Sequence, residues 1–335
     1  MSLDKKLLVS ASPHDHSKDT VTRIMLDVVI ALVPSLIAAT FLFGYRTLIV
    51  SAVSVGTCVL VEYISRIVMK RHQTVGDLSA IVTGLLIAFN VPVSMPLWMV
   101  VLGDILAIVV VKQMFGGIGM NFVNPALAAR IMLIASFPTE MGKWNAPLSW
   151  KTETVTTASP LNAIKEIYRG GEITSDSFKE LPSLLDMFLG KRAGSLGEVC
   201  AVALILGLVY LLVRRVIKLT IPLSYVGSFA VIMFIAGDFN LKFLAYEILA
   251  GGLLLGAIFM ATDYTTSPIN FKGQVIFGIG CGVLTALIRL FGNLPEGVSF
   301  AIIIMNILVP HIENLTTPKP FGTVKEKKKK EAEAK

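Results

Sequence analysis

Long apolar runs, separated by short polar punctuation, fill most of the chain. Ten can be marked: 22–43, 46–69, 77–92, 95–112 and 121–136, then 197–213, 220–236, 241–261, 273–291 and 296–311. A helix that crosses a bilayer needs roughly 20 mostly apolar residues, so the pattern predicts an all-α integral membrane protein of about ten transmembrane helices. Some runs are short. Run 77–92 ends at Asn90-Val91-Pro92, and run 121–136 opens at Asn121 and Asn124-Pro125. Such interruptions mark either a broken helix beside a binding site or a short or tilted one. A polar segment, 137–196, splits the runs five and five. An odd number per half turns the second half over, so the pattern predicts two inverted five-helix repeats. Gly84-Leu85-Leu86 before Asn90-Val91-Pro92, and Gly252-Leu253-Leu254-Leu255 before Thr266-Ser267-Pro268, form a weak internal echo.

Composition removes the soluble alternative. Apolar residues make up 54% and charged residues 16%, with mean hydropathy +0.73, whereas soluble domains carry about 25% charged residues. A net charge of +7 would suit nucleic acid, but the basic residues stand at the ends of apolar runs and no aromatic residues interleave them. No nucleic-acid partner is expected; the lipid bilayer is. Lysine and arginine concentrate on one set of loops: Lys5, Lys6, Lys18, Arg23, Arg66, Lys70, Arg71, Lys112, Arg214, Arg215, Lys218, Lys272 and the tail lysines. The opposite short loops hold Arg46, Lys242 and Arg289. The positive-inside bias then places both termini in the cytoplasm of a multi-pass cytoplasmic-membrane protein. The resulting division is 1–21, a cytoplasmic segment; 22–136, the first half; 137–196, an extracytoplasmic loop; 197–311, the second half; and 312–335, a cytoplasmic charged tail. The first run is long enough to remain as an anchor. Cys58, Cys200 and Cys281 are widely spaced and read as free buried thiols, and no metal site is expected.

Three segments could carry chemistry. Glu153-Thr154-Val155-Thr156-Thr157-Ala158-Ser159-Pro160 is dense in hydroxyls and is either an ordinary Ser/Thr turn or one that presents a hydroxyl. Ala158 and Pro160 should leave the Ser159 hydroxyl accessible. Gly116-Gly117-Ile118-Gly119-Met120-Asn121-Phe122-Val123-Asn124-Pro125-Ala126 allows close backbone approach, and Asn121 and Asn124 can cap a helix start that suits an anion. It is otherwise a tight turn into a helix. Ala261-Thr262-Asp263-Tyr264-Thr265-Thr266-Ser267-Pro268 gathers hydroxyls and a carboxylate at the end of the eighth run. It could bind a cation or a flavin's polar edge, or simply leave the membrane. Asp27, Glu62, Asp104 and Glu247 lie inside apolar runs, where charge is costly and tends to be paired or functional. Asp104 and Glu247 are candidates for an ion path. No nucleophile–base arrangement is visible, and no catalytic residue is named.

Together these segments resemble the RnfD/NqrB family, which contains the D subunit of the Rnf electron-transport complex and the B subunit of the sodium-pumping NADH:quinone reductase. The resemblance spans nearly the whole membrane portion and implies a membrane component of a complex that passes electrons between ferredoxin and NAD while translocating Na⁺ or H⁺. It implies FMN attached through its phosphate to a loop hydroxyl by a flavin transferase. The family acceptor motif, roughly Asp-Gly-x-Ser/Thr-Gly/Thr-Ala-Thr, reads here as Glu153 to Ser159. Ser159 stands at the acceptor position, with Thr156 and Thr157 as alternatives. It further implies flavin contacts at Asn121, Asn124, Thr265 and Thr266, admits riboflavin as a second flavin, and makes the other Rnf subunits (A, B, C, E and G) the expected partners. The competing expectation is a flavin-free solute channel of urea-channel-like fold.

Overall fold

The computed structural model describes residues 19–148, 159–170, 178, 181–292 and 296–318. Every element among them is helical. The first half contains α1 (Val21–Phe43), α2 (Arg46–Val68), α3 (Ser79–Phe89), α4 (Leu97–Ile105) and α5 (Pro125–Ser136). A π-helical stretch, Leu106–Gln113, continues α4. Short helices α6 (Pro138–Met141), α7 (Pro160–Gly170) and α8 (Leu184–Leu189) follow. The second half contains α9 (Ala201–Val213), α10 (Thr220–Ala236), α11 (Leu241–Leu249), α12 (Leu253–Leu255) with a π-helical extension to Met260, α13 (Phe271–Phe291) and α14 (Val298–Thr316).

The rods fall on the expected apolar runs, but several are shorter than them. Four helices, α1, α2, α13 and α14, are singly long and apolar enough to cross a membrane. The rod made of α11 and α12 bends by 64° at its break. Helices α3, α5 and α9 have 11, 12 and 13 residues. At 1.5 Å per residue they reach about 16–20 Å, well short of the ~30 Å hydrocarbon core. At least one end of each therefore lies inside the protein, at Ser79 and Phe89, Pro125 and Ala201, where side chains must satisfy the exposed backbone groups. Asn124 does this for α5: its Oδ1 accepts from the N–H groups of Ala126 and Leu127.

Helix α1 packs on α9, α2 on α3 and α4, α10 on α13, and α13 on α14. Small residues let the backbones approach closely. A Cβ on Gly84 would stand 2.7 Å from Val55 Cα, so α3 lies directly against α2. The echo noted in the sequence does not extend to conformation: Gly84 is inside α3, while Gly252 sits at the break before α12. The outward faces expose Ile37, Phe41, Leu60, Leu223, Val231 and Phe291. An apolar belt of this kind requires hydrocarbon around it, and the chain is a multi-pass membrane protein.

Three charges assigned to loops from the sequence are in fact interior. Arg66, Lys112 and Arg289 are all buried: Lys112 and Arg289 pair with Glu62 and Glu247 inside the bundle, and Arg66 donates to His72 O in the loop after α2. Lys70, Arg71, Arg215, Lys218 and Lys272 against Arg46 and Lys242 preserve the same bias.

Candidate functional site

The two motif segments, far apart in sequence, meet in space. Asn121 Nδ2 donates to Thr265 Oγ1 at 3.0 Å and to Val123 O at 3.1 Å. Thr265 Oγ1 in turn donates to Asp263 Oδ2 at 3.1 Å, and Thr266 Oγ1 reaches the same oxygen at 3.4 Å. Asn124 Nδ2 donates to Met260 O at 3.4 Å. Asn306 joins the set from α14: with its amide nitrogen toward Thr266 O at 3.1 Å, its oxygen accepts from Asn124 N at 3.2 Å. Burial pushes the Asp263 carboxyl above its ordinary range, opposed by the hydrogen bonds from Thr265 and Thr266. Among the glycines, Gly117 is required by its surroundings: its φ is +106°, and its missing Cβ leaves room for the Arg66 guanidinium. The anion site expected at the start of α5 is closed, because Asn124 itself accepts from the N–H groups that an anion would use.

Beside these segments lies a cavity of about 90 Å³. Val82, Leu86 and Phe259 form apolar wall, while Asn121, Asp263, Thr265 and Lys112 supply polar edge. Lys112 also belongs to a closed polar cluster. Its Nζ lies 2.8 Å from Glu62 Oε2 and 2.6 Å from Ser79 Oγ, and Gln113 Nε2 donates to Glu62 Oε1 at 2.9 Å.

Ser159 is the N-terminal residue ahead of α7. The residue is 8% exposed, and its Oγ accepts from Asn162 N at 3.3 Å. The expected free hydroxyl is therefore a buried helix cap, because the N–H groups of the first turn need an acceptor. Thr156 and Thr157 lie outside the described residues. Helix α7 is amphipathic: Leu161 and Ile164 are buried, while Lys165 Nζ and Arg169 NH2 donate to Gly292 O at 2.6 and 3.3 Å. Burial lowers the Lys165 ammonium from its ordinary value, and the charge of Arg169 adds to this.

The inner surface of α7 looks onto a buried charge network. A Cβ on Gly251, at the α11–α12 break, would stand 3.1 Å from both Leu161 Cδ2 and Arg289 NH2. Arg289 NH1 lies 2.7 Å from Glu247 Oε2 and also donates to the carbonyl of Glu247; NH2 donates to Ala250 O at 3.1 Å. Glu296 Oε1 accepts from Gly252 N at 2.9 Å. Its other oxygen pairs with Arg130, which also bonds Asn90 Oδ1 and lies 3.7 Å from Glu198. Arg192 donates to the carbonyls of Glu198 and Val199. Burial raises the Glu296 carboxyl, and Arg130 opposes it. Glu198, Arg130 and Glu296 did not stand out in the sequence, although Arg130 lies within an apolar run and the cost argument applied to acids covers it equally. Asp27 pairs with Arg214 at 3.2 Å and accepts from Tyr210 at 2.9 Å. Asp104, wholly buried on α4, hydrogen-bonds Ser54 Oγ, 2.7 Å away, and the Cys58 thiol, and has no ion pair among the described residues. Among the described residues no group of His, Cys, Asp and Glu could hold a metal ion.

Comparison with known proteins gives end-to-end matches. The model of the NQR2, RnfD, RnfE family matches residues 8–322. The chain is 43% identical over 329 residues to the D subunit of the Na⁺-translocating ferredoxin:NAD⁺ oxidoreductase complex of Acetobacterium woodii, covering 97% of the chain and 98% of that protein. It is 38% identical to the D subunit of the proton-translocating ferredoxin:NAD⁺ oxidoreductase complex of Clostridium ljungdahlii, covering 94% and 96%. The D subunit of the ion-translocating oxidoreductase complex of Stutzerimonas stutzeri is 34% identical, with 91% and 93% covered.

Proposed function

The chain belongs to the NQR2, RnfD, RnfE family, and from that premise we propose that it is the D subunit of an ion-translocating ferredoxin:NAD⁺ oxidoreductase. The observation that carries this reading is similarity to D subunits of such complexes over nearly the full length of both chains. None of the three relatives is named as a solute channel, so the flavin-free channel receives no support. The chain is one component of an oxidoreductase. Its partners are the other Rnf subunits, A, B, C, E and G. Deleting the chain from its complex should abolish ferredoxin-dependent NAD⁺ reduction by membrane vesicles, and re-expression should restore it. Full activity without the chain would overturn the assignment.

FMN held covalently at Ser159 is the cofactor of this reading. Three features fit it. Ser159 matches the family's acceptor position. Its Oγ stands at the N-terminus of α7, where the positive end of the helix dipole favours a phosphate. Lys165 and Arg169 follow on the same helix. A flavin transferase would form a bond from the flavin phosphorus to Oγ while the bond from that phosphorus to a nucleotide leaving group on the flavin donor breaks, the hydroxyl proton going to the medium. Bound FMN supplies the electron transfer; α7 orients it, and the packing of Leu161 and Ile164 keeps water from its anchored end. A second flavin, riboflavin, would take the cavity between the motif segments, with Val82, Leu86 and Phe259 against its rings and Asn121, Asn124, Thr265 and Thr266 near its polar edge. The lining side chains would have to give way, since the space of about 90 Å³ is small beside the roughly 300–1,000 Å³ of ordinary ligand pockets.

In this reading both termini lie in the cytoplasm, the 137–196 segment lies outside, and the protein sits in the cell membrane. Glu166 is exposed on α7, while Cys58 and Cys281 are buried and Cys200 is half-buried. Glu166→Cys should therefore react with a membrane-impermeant thiol reagent in intact cells, over a low background. Reaction only after permeabilisation would invert the topology. Of the two ion-path candidates, Glu247 is held by Arg289, whereas Asp104 has no such partner among the described residues.

A further inference from the structure

We infer that Asp104 is a neutral carboxylic acid and that its site binds a proton, not a metal cation. The inference rests on the ion-translocating reading only for the role of that proton; the protonation itself follows from hydrogen-bond counting. The other buried carboxylates, Asp27, Glu62, Glu198 and Glu247, each lie within 4 Å of an arginine or lysine. Asp104 does not, among the described residues, although it is as deeply buried as any of them. An isolated ionised carboxylate in such a place is too costly to persist.

Ser54 decides the protonation state. Its Oγ lies 2.8 Å from Gly84 O and 2.7 Å from Asp104 Oδ1. A hydroxyl has one hydrogen to give. A carbonyl and a carboxylate can only accept, so an ionised Asp104 would leave one of the two short contacts without a hydrogen. A protonated Asp104 satisfies both: Oδ1–H donates to Ser54 Oγ, and Ser54 donates to Gly84 O. The second carboxyl oxygen, Oδ2, has no nitrogen or oxygen partner among the described residues, and the Cys58 thiol, a weak donor, is the other group bonded to the carboxyl. Left bare, a neutral carbonyl oxygen costs far less than a charged one.

The surroundings offer no counter-charge. Helix α4 packs against α2, α3 and α5. The charged groups on those elements and on the continuation of α4 are engaged elsewhere. Glu62 pairs with Lys112, Arg130 with Glu296, Arg46 with the carbonyls of Ser94 and Met95, and Arg66 with His72 O. Helix α3 carries no charge. The site also suits a hard cation poorly. Such ions take about six oxygen ligands. Here two carboxyl oxygens, one hydroxyl and one carbonyl are at hand, and the neighbouring Cys58 brings soft sulfur. Na⁺ moved by the complex would bind elsewhere.

Infrared difference spectra of the purified complex test this directly. Wild type should show the C=O stretch of a buried carboxylic acid that shifts in D₂O and does not respond to replacing Na⁺ by K⁺. Asp104→Asn should lack that band, and Ser54→Ala should shift it upward by removing the acceptor of the acid hydrogen. A wild-type carboxylate band in its place, moving on addition of Na⁺, would overturn the proposal and make the site a cation site. Should Asp104→Asn fail to assemble, the Ser54→Ala shift still decides, since an unchanged band cannot come from Asp104. Ferredoxin-dependent NAD⁺ reduction is measured on the same samples. Its absence with the acid band present would defeat the functional reading alone.

Discussion

Ser159→Ala is expected to remove all covalently bound flavin, seen as complete loss of in-gel flavin fluorescence after denaturation. The substitution takes away the only hydroxyl at the acceptor position. It also removes the cap of α7, where Ser159 Oγ accepts from Asn162 N. Losing a serine cap costs about 1 kcal/mol, so the protein should still fold. Two further variants separate cap from acceptor. Ser159→Thr keeps both and should stay fluorescent. Ser159→Asn keeps a capping oxygen but offers no hydroxyl for esterification, and should be dark yet as stable as wild type. Fluorescence persisting in Ser159→Ala would move the acceptor to Thr156 or Thr157. A dark wild type, produced in a host that contains the transferase, would remove covalent FMN from the account.

The second large effect concerns Arg289, which is almost fully buried between Glu247 and the ring of Phe229, 4.9 Å from its centroid. Arg289→Met leaves the Glu247 carboxylate uncompensated inside the bundle. Breaking one side of a buried ion pair costs roughly 3–5 kcal/mol, so the detergent-solubilised protein should lose much of its folded yield and unfold at a clearly lower temperature. The double variant Glu247→Met/Arg289→Met removes both charges and should recover more than half of the loss. Recovery should stay incomplete, because Arg289 also donates to the carbonyls of Glu247 and Ala250, and each unpaired carbonyl costs on the order of 1–3 kcal/mol. A stable single variant would show that the pair contributes little to holding α11 on α13. A double variant as unstable as the single would shift the stabilisation onto the carbonyl bonds.

The contrast between Glu247 and Asp104 shows where reading the sequence stops. Both were acids in apolar runs, and cost alone made both candidates for an ion path. Only the fold shows that Arg289, 42 residues away, neutralises one of them, while the other meets Ser54 and Cys58. Lys112 and Arg289 were misplaced in loops for the same reason. Each stands at the end of an apolar run, and nothing local reveals whether such an end meets water or a carboxylate. The Ser159 segment was legible as a hydroxyl-bearing motif. Its burial was not, because a cap is defined by the helix that follows, and the start of α7 is visible only once Leu161 and Ile164 have something to pack against.

By itself, the sequence determined the class of the protein and the position of its rods, since runs of apolar residues without enough charge can be stable only as helices in hydrocarbon. It also determined the cap at Asn124-Pro125, which depends on neighbours in the chain. Tertiary structure alone decided the pairing of Asn121 with Thr265, 144 residues apart, the bend of 64° between α11 and α12, and the partner of every buried charge. Those depend on which distant groups the packed helices bring within about 3 Å, the range over which a hydrogen bond offsets the cost of burial.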